Sequence, residues 1–129
     1  MTIPASDLSA MLDRIERDGG FTYNPRTQRF VTGGHGYVVA NPPGALAFSA
    51  RPGGPERSVI IERATLHNAD LLARPGYYLG AWRDGETVYV EVSQVFRSRA
   101  EALRVAADRG ERAIYDLRNR RDIPVRSVA

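Results

Sequence analysis

Apolar residues recur at helical spacing in three segments of the chain, and each segment has residues that begin or end helices. The first has Ser6 as its predicted N-cap and ends at about Asp18, before two glycines. A second helix is predicted over residues 63–73, and a third begins at a capping box formed by Ser98 and Glu101. The apolar stripes are Leu8, Met11, Leu12 and Ile15; Leu66, Ala69 and Leu72; and Ala100, Leu103 and Ala107.

Short β-rich runs separated by turn residues predict strands in the rest of the chain. FTYNPRTQRFV predicts two strands around a turn at 24–27, where Asn and Pro occupy favoured turn positions. Further strands are predicted for YVVA at 37–40, SVII at 58–61, RAIYDL at 112–117 and, as a short edge, IPV at 123–125.

The segment PPGALAFSARPGGPER at 42–57 contains four prolines and three glycines. Prolines remove backbone donors and glycines weaken regular structure, so this composition argues against a helix or a central strand. We expect a long surface loop here, with docking of ALAF at 45–48, or a short edge strand formed by it, as the alternative.

The stretch GYYLGAWRDGETVYVEVSQVF, residues 76–96, has the pattern of a β-hairpin. Asp84-Gly85 between two β-rich runs is the strongest short-range signal for such a turn. Taken as a two-residue loop, it places Ala81 opposite Val88.

Cross-strand partners share a face, so this register divides the hairpin into an apolar side and a mixed side. The predicted core side consists of Tyr77, Leu79, Ala81, Val88, Val90 and Val92. The other side carries Tyr78, Trp82, Thr87, Tyr89, Glu91 and Ser93, and we expect Tyr89 to cover Gly80.

Together these elements predict one α+β domain over residues 1–129. The expected architecture is an antiparallel sheet of about five or six strands, with two or three helices packed mainly on one face. A chain of 129 residues with 43% apolar content has enough material for such a core without disulfide or metal support.

The C-terminal half resembles small uncharacterised proteins encoded by phages and mobile elements of high-GC bacteria. The resemblance covers roughly residues 68–125 and rests on Tyr-Leu-Gly-Ala-Trp, Val-Tyr-Val-Glu-Val, Glu-Ala-Leu and Ala-Ile-Tyr-Asp-Leu in that order. It implies a hairpin, helix and strand module and a mobile-element context. No activity and no catalytic residue come with it.

Composition excludes several classes of site. The chain has no cysteine, which removes disulfides and thiolate metal sites, and it has no apolar run of the roughly 20 residues that a membrane-spanning helix needs. The N-terminus lacks the basic and apolar regions of a signal peptide, so we expect a cytoplasmic protein without membrane association.

All 18 basic residues are arginines, and the net charge is +3. Residues 1–108 hold 12 arginines and 12 acids, so the excess lies in residues 109–129, with 6 arginines and 3 acids. Arginine makes bidentate contacts with phosphate or carboxylate. The candidate nucleic-acid contacts are Arg118, Arg120, Arg121 and Arg126, although Asp116 and Asp122 interrupt the cluster.

Catalytic and metal-binding signals are weak. His35 and His67 are the only histidines, and a metal-independent ribonuclease would need them close together as acid and base. The glycines at 33–36 precede a strand rather than the helix that a phosphate loop requires. His67 and Asp70 share a helix face but have no third ligand at motif spacing, so we expect no metal, cofactor or catalytic residue.

These patterns favour a small non-enzymatic interaction protein, binding a host protein or a second copy of itself. Its predicted contact residues are Tyr78, Trp82 and Tyr89, because aromatic rings grouped on an outer sheet face are typical of interfaces. The alternatives for these rings are packing beneath the 42–57 loop and stacking of nucleic-acid bases. The alternative is a nucleic-acid-directed protein, either a binder that uses the arginine tail or a two-histidine ribonuclease.

Overall fold

The computed structural model describes residues 2–51 and 57–126. Within these ranges the chain forms four helices and one antiparallel sheet of seven strands. The strand order is β2-β1-β4-β5-β3-β6-β7. The elements are α1 (Ala5–Asp18), β1 (Gly20–Asn24), β2 (Arg29–Phe30), β3 (Tyr37–Ser49), α2 (Arg57–His67), α3 (Ala69–Leu72), β4 (Tyr77–Asp84), β5 (Thr87–Phe96), α4 (Arg99–Asp108), β6 (Ala113–Asp116) and β7 (Arg121–Pro124).

The α+β class is confirmed, and the strand count is higher than the predicted five or six. Short strands at the two edges of the sheet account for much of the difference, since β2 has two residues and β7 has four. None of the helices within the described ranges has the length and apolar character required to cross a bilayer.

Helix α1 ends as the sequence predicts but begins differently. Gly19 adopts a left-handed φ of 84° and donates its N–H to the Ile15 carbonyl, which closes the helix. The predicted N-cap Ser6 lies inside the first turn, because the helix starts at Ala5 and no side chain caps it. Pro4 supplies the carbonyl that begins the first turn instead.

The β4–β5 hairpin has the predicted faces in a different register. Asp84 pairs with Thr87, so Gly85 and Glu86 form the loop and Ala81 lies opposite Val90. Gly85 has a φ of 59°, as the first loop position of a type II′ turn requires. The predicted register is therefore wrong by two residues, and because side chains alternate with a period of two, the same residues still face the core.

Strand β3 corrects the prediction of a surface loop at residues 42–57. The strand continues through the prolines to Ser49 and pairs with β5 on both sides of an irregularity between Asn41 and Leu46. Prolines are tolerated where the hydrogen-bond ladder is already interrupted. Four β3 residues lie opposite one β5 residue there, so β3 has three extra residues. An odd number of extra residues exchanges the faces to which odd- and even-numbered side chains point, and Val39 and Leu46 therefore both pack into the interior. Residues 52–56 of the predicted loop lie outside the described residues.

The predicted SVII strand is also wrong, because residues 58–61 form the first turns of α2. A short apolar run does not distinguish a strand from a buried helix. Helical spacing places Ile61 and Ala64 in the core. The helix predicted over 63–73 is two helices, α2 and α3, separated at Asn68, whose side chain donates to the Ala64 carbonyl at 2.8 Å.

The helices pack on one face of the sheet. The main cluster joins α1 and α2 to β1, β4 and β5, and includes the fully buried Leu79, Val88, Val90 and Val92. A second cluster joins α4 to Val39, Ile114 and Ile123. Strand pairing places Val39 on the same side of the sheet as the main cluster. The Ser98 capping prediction is confirmed, since its hydroxyl accepts from the Glu101 N–H.

The sheet curls toward the face that the helices leave uncovered. Glu91 and Ser93 lie on that face, where none of the described helices packs, yet they are only 6% and 3% exposed. Tyr115 shares the uncovered face with Val38. Curvature of the strands over this face accounts for the burial, so the uncovered face is concave.

Candidate functional site

The concave face carries a row of polar and aromatic side chains from the hairpin. Its central residues are Tyr78, Gly80 and Trp82 from β4 and Tyr89, Glu91 and Ser93 from β5. Alternation along the strands places all six on this face and sends the intervening aliphatic residues into the core. We call these six residues the concave-face site.

Trp82 and Tyr89 form a stacked pair at one end of the site. They are direct cross-strand partners, with ring centroids 4.7 Å apart and planes inclined by 26°. Trp82 remains 45% exposed despite the stack. The expected position of Tyr89 over Gly80 is wrong, because the two-residue change of register places Glu91 opposite Gly80 instead.

Glu91 is the buried charge of the site. Its Oε1 accepts a hydrogen bond from the Trp82 indole Nε1 at 2.7 Å, and the residue is only 6% exposed. The indole bond uses one of the two carboxylate oxygens, and a carboxylate can accept further hydrogen bonds. The indole bond fixes the orientation of both the Trp82 ring and the carboxylate.

The irregularity of β3 explains why Glu91 occupies this position. Val90 pairs with Leu46 and Val92 with Asn41, so Glu91 is the one β5 residue opposite the four residues 42–45. On its other side Glu91 faces Gly80, which has no side chain. A carboxylate is thus accommodated between a bulge and a glycine, and bulges often redirect side chains near functional sites.

The surroundings of Glu91 disfavour the ionised form of its carboxylate. Burial raises the pKa of Glu91 above its ordinary value, the indole hydrogen bond opposes that shift, and the nearby Glu111 carboxylate adds to it by repulsion. Burial also raises the pKa of Glu111, and Arg109 partly offsets this. Ion pairs within the described ranges join Arg17 to Asp18, Arg51 to Glu86 and Arg57 to Glu16, so none includes Glu91.

Ser93 leaves an unsatisfied hydroxyl beside Glu91. The residue is 3% exposed, and its Oγ has no hydrogen-bond partner in the part of the chain that the structure describes. A Cβ atom at Gly80 would lie 3.2 Å from this oxygen, so the glycine leaves room for the hydroxyl. An unpaired buried hydroxyl has a desolvation cost of about 1–3 kcal/mol.

Tyr78 lies at the opposite end of the site from Trp82. Four residues of strand separate them, about 13 Å. The Arg26 guanidinium lies 5.3 Å from the Tyr78 ring centroid and donates to the carbonyls of Leu72 and Tyr77. The structure therefore places all three rings on one face, as predicted, stacks Trp82 on Tyr89, and leaves Tyr78 in a separate contact.

The arginine tail is divided between two surfaces. Arg118 and Arg120 are exposed in the β6–β7 turn, and Arg121 begins β7. The Asp116 carboxylate holds this turn by accepting from the backbone N–H groups of residues 118 and 119. Arg126 instead lines a groove of about 610 Å³ between α4 and β7, together with Arg99, Arg104 and Asp108.

The two histidines make separate contacts. The His35 Nε2 lies 3.0 Å from the Arg97 carbonyl oxygen, and its ring packs edge-on against Tyr37. His67 is exposed at the end of α2. No group of three or more potential metal-binding His, Asp or Glu side chains occurs within residues 2–51 and 57–126.

Sequence reasoning identified the aromatic pair but missed Glu91 and Ser93 as members of the site. Both were placed on the outer, polar face of the hairpin, where exposure is the ordinary expectation. The available signal was a carboxylate between tyrosine and serine on the aromatic face, whereas its place opposite Gly80 follows from the observed register. Its burial depends on the curl of the sheet and on the β3 irregularity, which the local pattern does not contain.

Comparisons with protein-family models, with curated proteins and with solved structures gave no match for this chain.

Proposed function

We propose that the chain is a small non-enzymatic protein-interaction module, and that Trp82 and Tyr89 on the concave-face site contact its partner. The observation that carries this proposal is the stacked, half-exposed Trp82, held by the buried Glu91 carboxylate. A ring fixed on two sides loses little conformational entropy on binding, so it is suited to act as an interface anchor.

The energetics of interfaces support this assignment. Trp and Tyr dominate binding energies when a partner removes them from water, with typical losses of 2 kcal/mol or more on truncation. Trp82 is one of four large exposed apolar residues in the described ranges, with Val59, Leu66 and Tyr115. Unlike Leu66 on α2, it is fixed by a stacked ring and a hydrogen bond.

The decisive experiment measures partner binding by Trp82→Ala against a matched control. Affinity capture from cells that express the protein, followed by calorimetry with the captured partner, gives the affinity of each variant. We expect Trp82→Ala to weaken binding by about 2 kcal/mol. Leu66→Ala, which removes an exposed apolar side chain elsewhere, should bind like wild type.

Self-association is a second form of the same proposal, because a second copy of the chain can supply the partner surface. Sedimentation of the wild-type protein over a concentration series tests it, and Trp82→Ala should then dissociate the oligomer. The resemblance of residues 68–125 to phage and mobile-element proteins supports an accessory role in such an element, directed at a host protein.

Nucleic-acid binding is the second candidate function. Residues 97–126 contain 9 arginines and 5 acids, whereas residues 1–96 contain 9 arginines and 10 acids. Arg118, Arg120 and Arg121 lie within one exposed turn and strand start, so they can follow a phosphate backbone together. No basic residue of this cluster belongs to the concave-face site, so the two functions use separate surfaces and separate variants test them.

A further inference from the structure

Glu91 is a buried carboxylate without a cationic partner in the described part of the chain. Buried charges in proteins are ordinarily paired with an opposite charge, because removing them from water costs several kcal/mol. Here the group that donates to Glu91 is the neutral indole of Trp82, and the charge that acts on it is the like charge of Glu111. The site therefore has an excess of negative charge.

The neighbours of Glu91 define the kind of cation that fits. Trp82 is half exposed although Tyr89 covers part of its ring, so an aromatic surface lies directly beside the carboxylate. The indole bond engages one oxygen of the Glu91 carboxylate, which can accept further hydrogen bonds, and the Ser93 hydroxyl has no partner among the described residues. An aromatic ring, an available carboxylate oxygen and a second acceptor together suit a planar cation that stacks and donates several N–H groups.

We propose that the concave-face site binds an arginine side chain presented by the partner protein, with its guanidinium over Trp82 and donating to Glu91. This inference rests on the proposed function, and it names the chemistry of the partner. Arginine is favoured over lysine because guanidinium stacks on aromatic rings and is less strongly hydrated than ammonium, so it loses less on entering a partly buried site.

The occupant is a basic protein segment rather than a nucleic acid. The phosphate backbone would meet Glu91 and Glu111, two carboxylates whose charges already repel each other. It would also find no arginine or lysine on this part of the face, since the six residues of the site are aromatic, acidic or small. Charge complementarity therefore selects a cationic partner.

Trp82 is the only tryptophan in the chain, so its fluorescence reports directly on the site. We would titrate the full chain with Nα-acetyl-arginine amide, with the lysine analogue and with the citrulline analogue, at constant ionic strength. Citrulline has nearly the same shape as arginine but no charge. We expect saturable quenching with a Kd on the order of 1 mM for the arginine compound, and binding at least about tenfold weaker for citrulline.

The variant Glu91→Gln removes the charge and retains an oxygen that accepts the indole hydrogen bond. It should bind the arginine compound at least about tenfold more weakly than wild type, while its thermal unfolding temperature does not fall. Glu86→Gln is the matched control, because it removes an exposed carboxylate from the same hairpin and should bind like wild type. The citrulline comparison uses only the wild-type protein, so the test does not depend on how the variants fold.

Equal binding of the arginine and citrulline compounds, unchanged binding by Glu91→Gln, or no saturable response to the arginine compound would each overturn the inference. Binding of the captured partner to the two variants distinguishes this outcome from failure of the proposed function. Partner binding lost in Trp82→Ala but retained in Glu91→Gln would overturn the arginine assignment alone. Partner binding retained in both variants would overturn the interaction site as well.

Discussion

The two faces of the β4–β5 hairpin differ in how their side chains are satisfied. On the helix-covered face Leu79, Val88, Val90 and Val92 are fully buried among apolar neighbours and need nothing from outside the chain. On the concave face Glu91 is buried without a cationic partner and Ser93 without a hydrogen-bond partner among the described residues, and Trp82 is half exposed. Burial of the first face stabilises the folded state. The second face retains unsatisfied polar groups, and a partner that satisfies them would gain binding free energy there.

The first experiment to test this contrast is Leu79→Ala on the covered face. We expect a loss of about 2–5 kcal/mol in the free energy of unfolding, because the substitution leaves a cavity at a fully buried position. Urea denaturation measures the change. A loss below 1 kcal/mol would show that the covered face is not the main core.

Trp82→Ala is the corresponding change on the concave face. We expect the loss of partner binding of about 2 kcal/mol stated above, with a much smaller loss of unfolding free energy than in Leu79→Ala. Denaturation and calorimetry on the same protein sample compare the two quantities. A stability loss as large as that of Leu79→Ala would mean that Trp82 is a core residue.

Glu91→Gln tests the difference between the two faces through the pH dependence of stability. The folded-state pKa of Glu91 is raised by burial, so protonation is favoured by folding and the ionised carboxylate destabilises the protein at neutral pH. The stability benefit of the protonated form is complete below the unfolded pKa, about 4.3, and is lost as the pH rises through the folded pKa.

We therefore expect Glu91→Gln to unfold at a higher temperature than wild type at pH 7, with the difference shrinking toward pH 4. Thermal unfolding followed by circular dichroism across this range measures it. Glu86→Gln, at an exposed carboxylate, should show no such pH-dependent gain. A pH-independent difference for Glu91→Gln would contradict the raised pKa.

The smallest effect on folding is expected from replacing Arg118, Arg120 and Arg121 together by alanine. All three are exposed, so the free energy of unfolding should change by less than about 0.5 kcal/mol per residue. Partner binding at the concave-face site should also be unchanged. If the wild type binds duplex DNA, the log–log salt dependence should become shallower by nearly three units in this variant, which would instead favour the nucleic-acid function.

Local chemistry in the sequence was sufficient to predict part of this molecule. The stripe of α1 with its closing Gly19, the Ser98 cap of α4, and the turn between β1 and β2 follow from contacts within a few residues. The division of the hairpin into two faces also follows, because alternation survives a two-residue change of register. The shared face of Trp82 and Tyr89 was predictable in this way, whereas their stacking follows from the observed register.

Tertiary structure decided what depends on residues distant in the chain. β3 passes through its prolines because its two halves pair with β5 on either side of the irregularity. The apolar run at 58–61 is helical because Ile60 and Ile61 pack against the main cluster. The burial of Glu91 requires both the four residues 42–45 opposite it and the curl of the sheet toward the uncovered face. Sequence alone therefore determined which hairpin residues share the concave face, and long-range strand pairing determined that its carboxylate is buried without a cationic partner among the described residues.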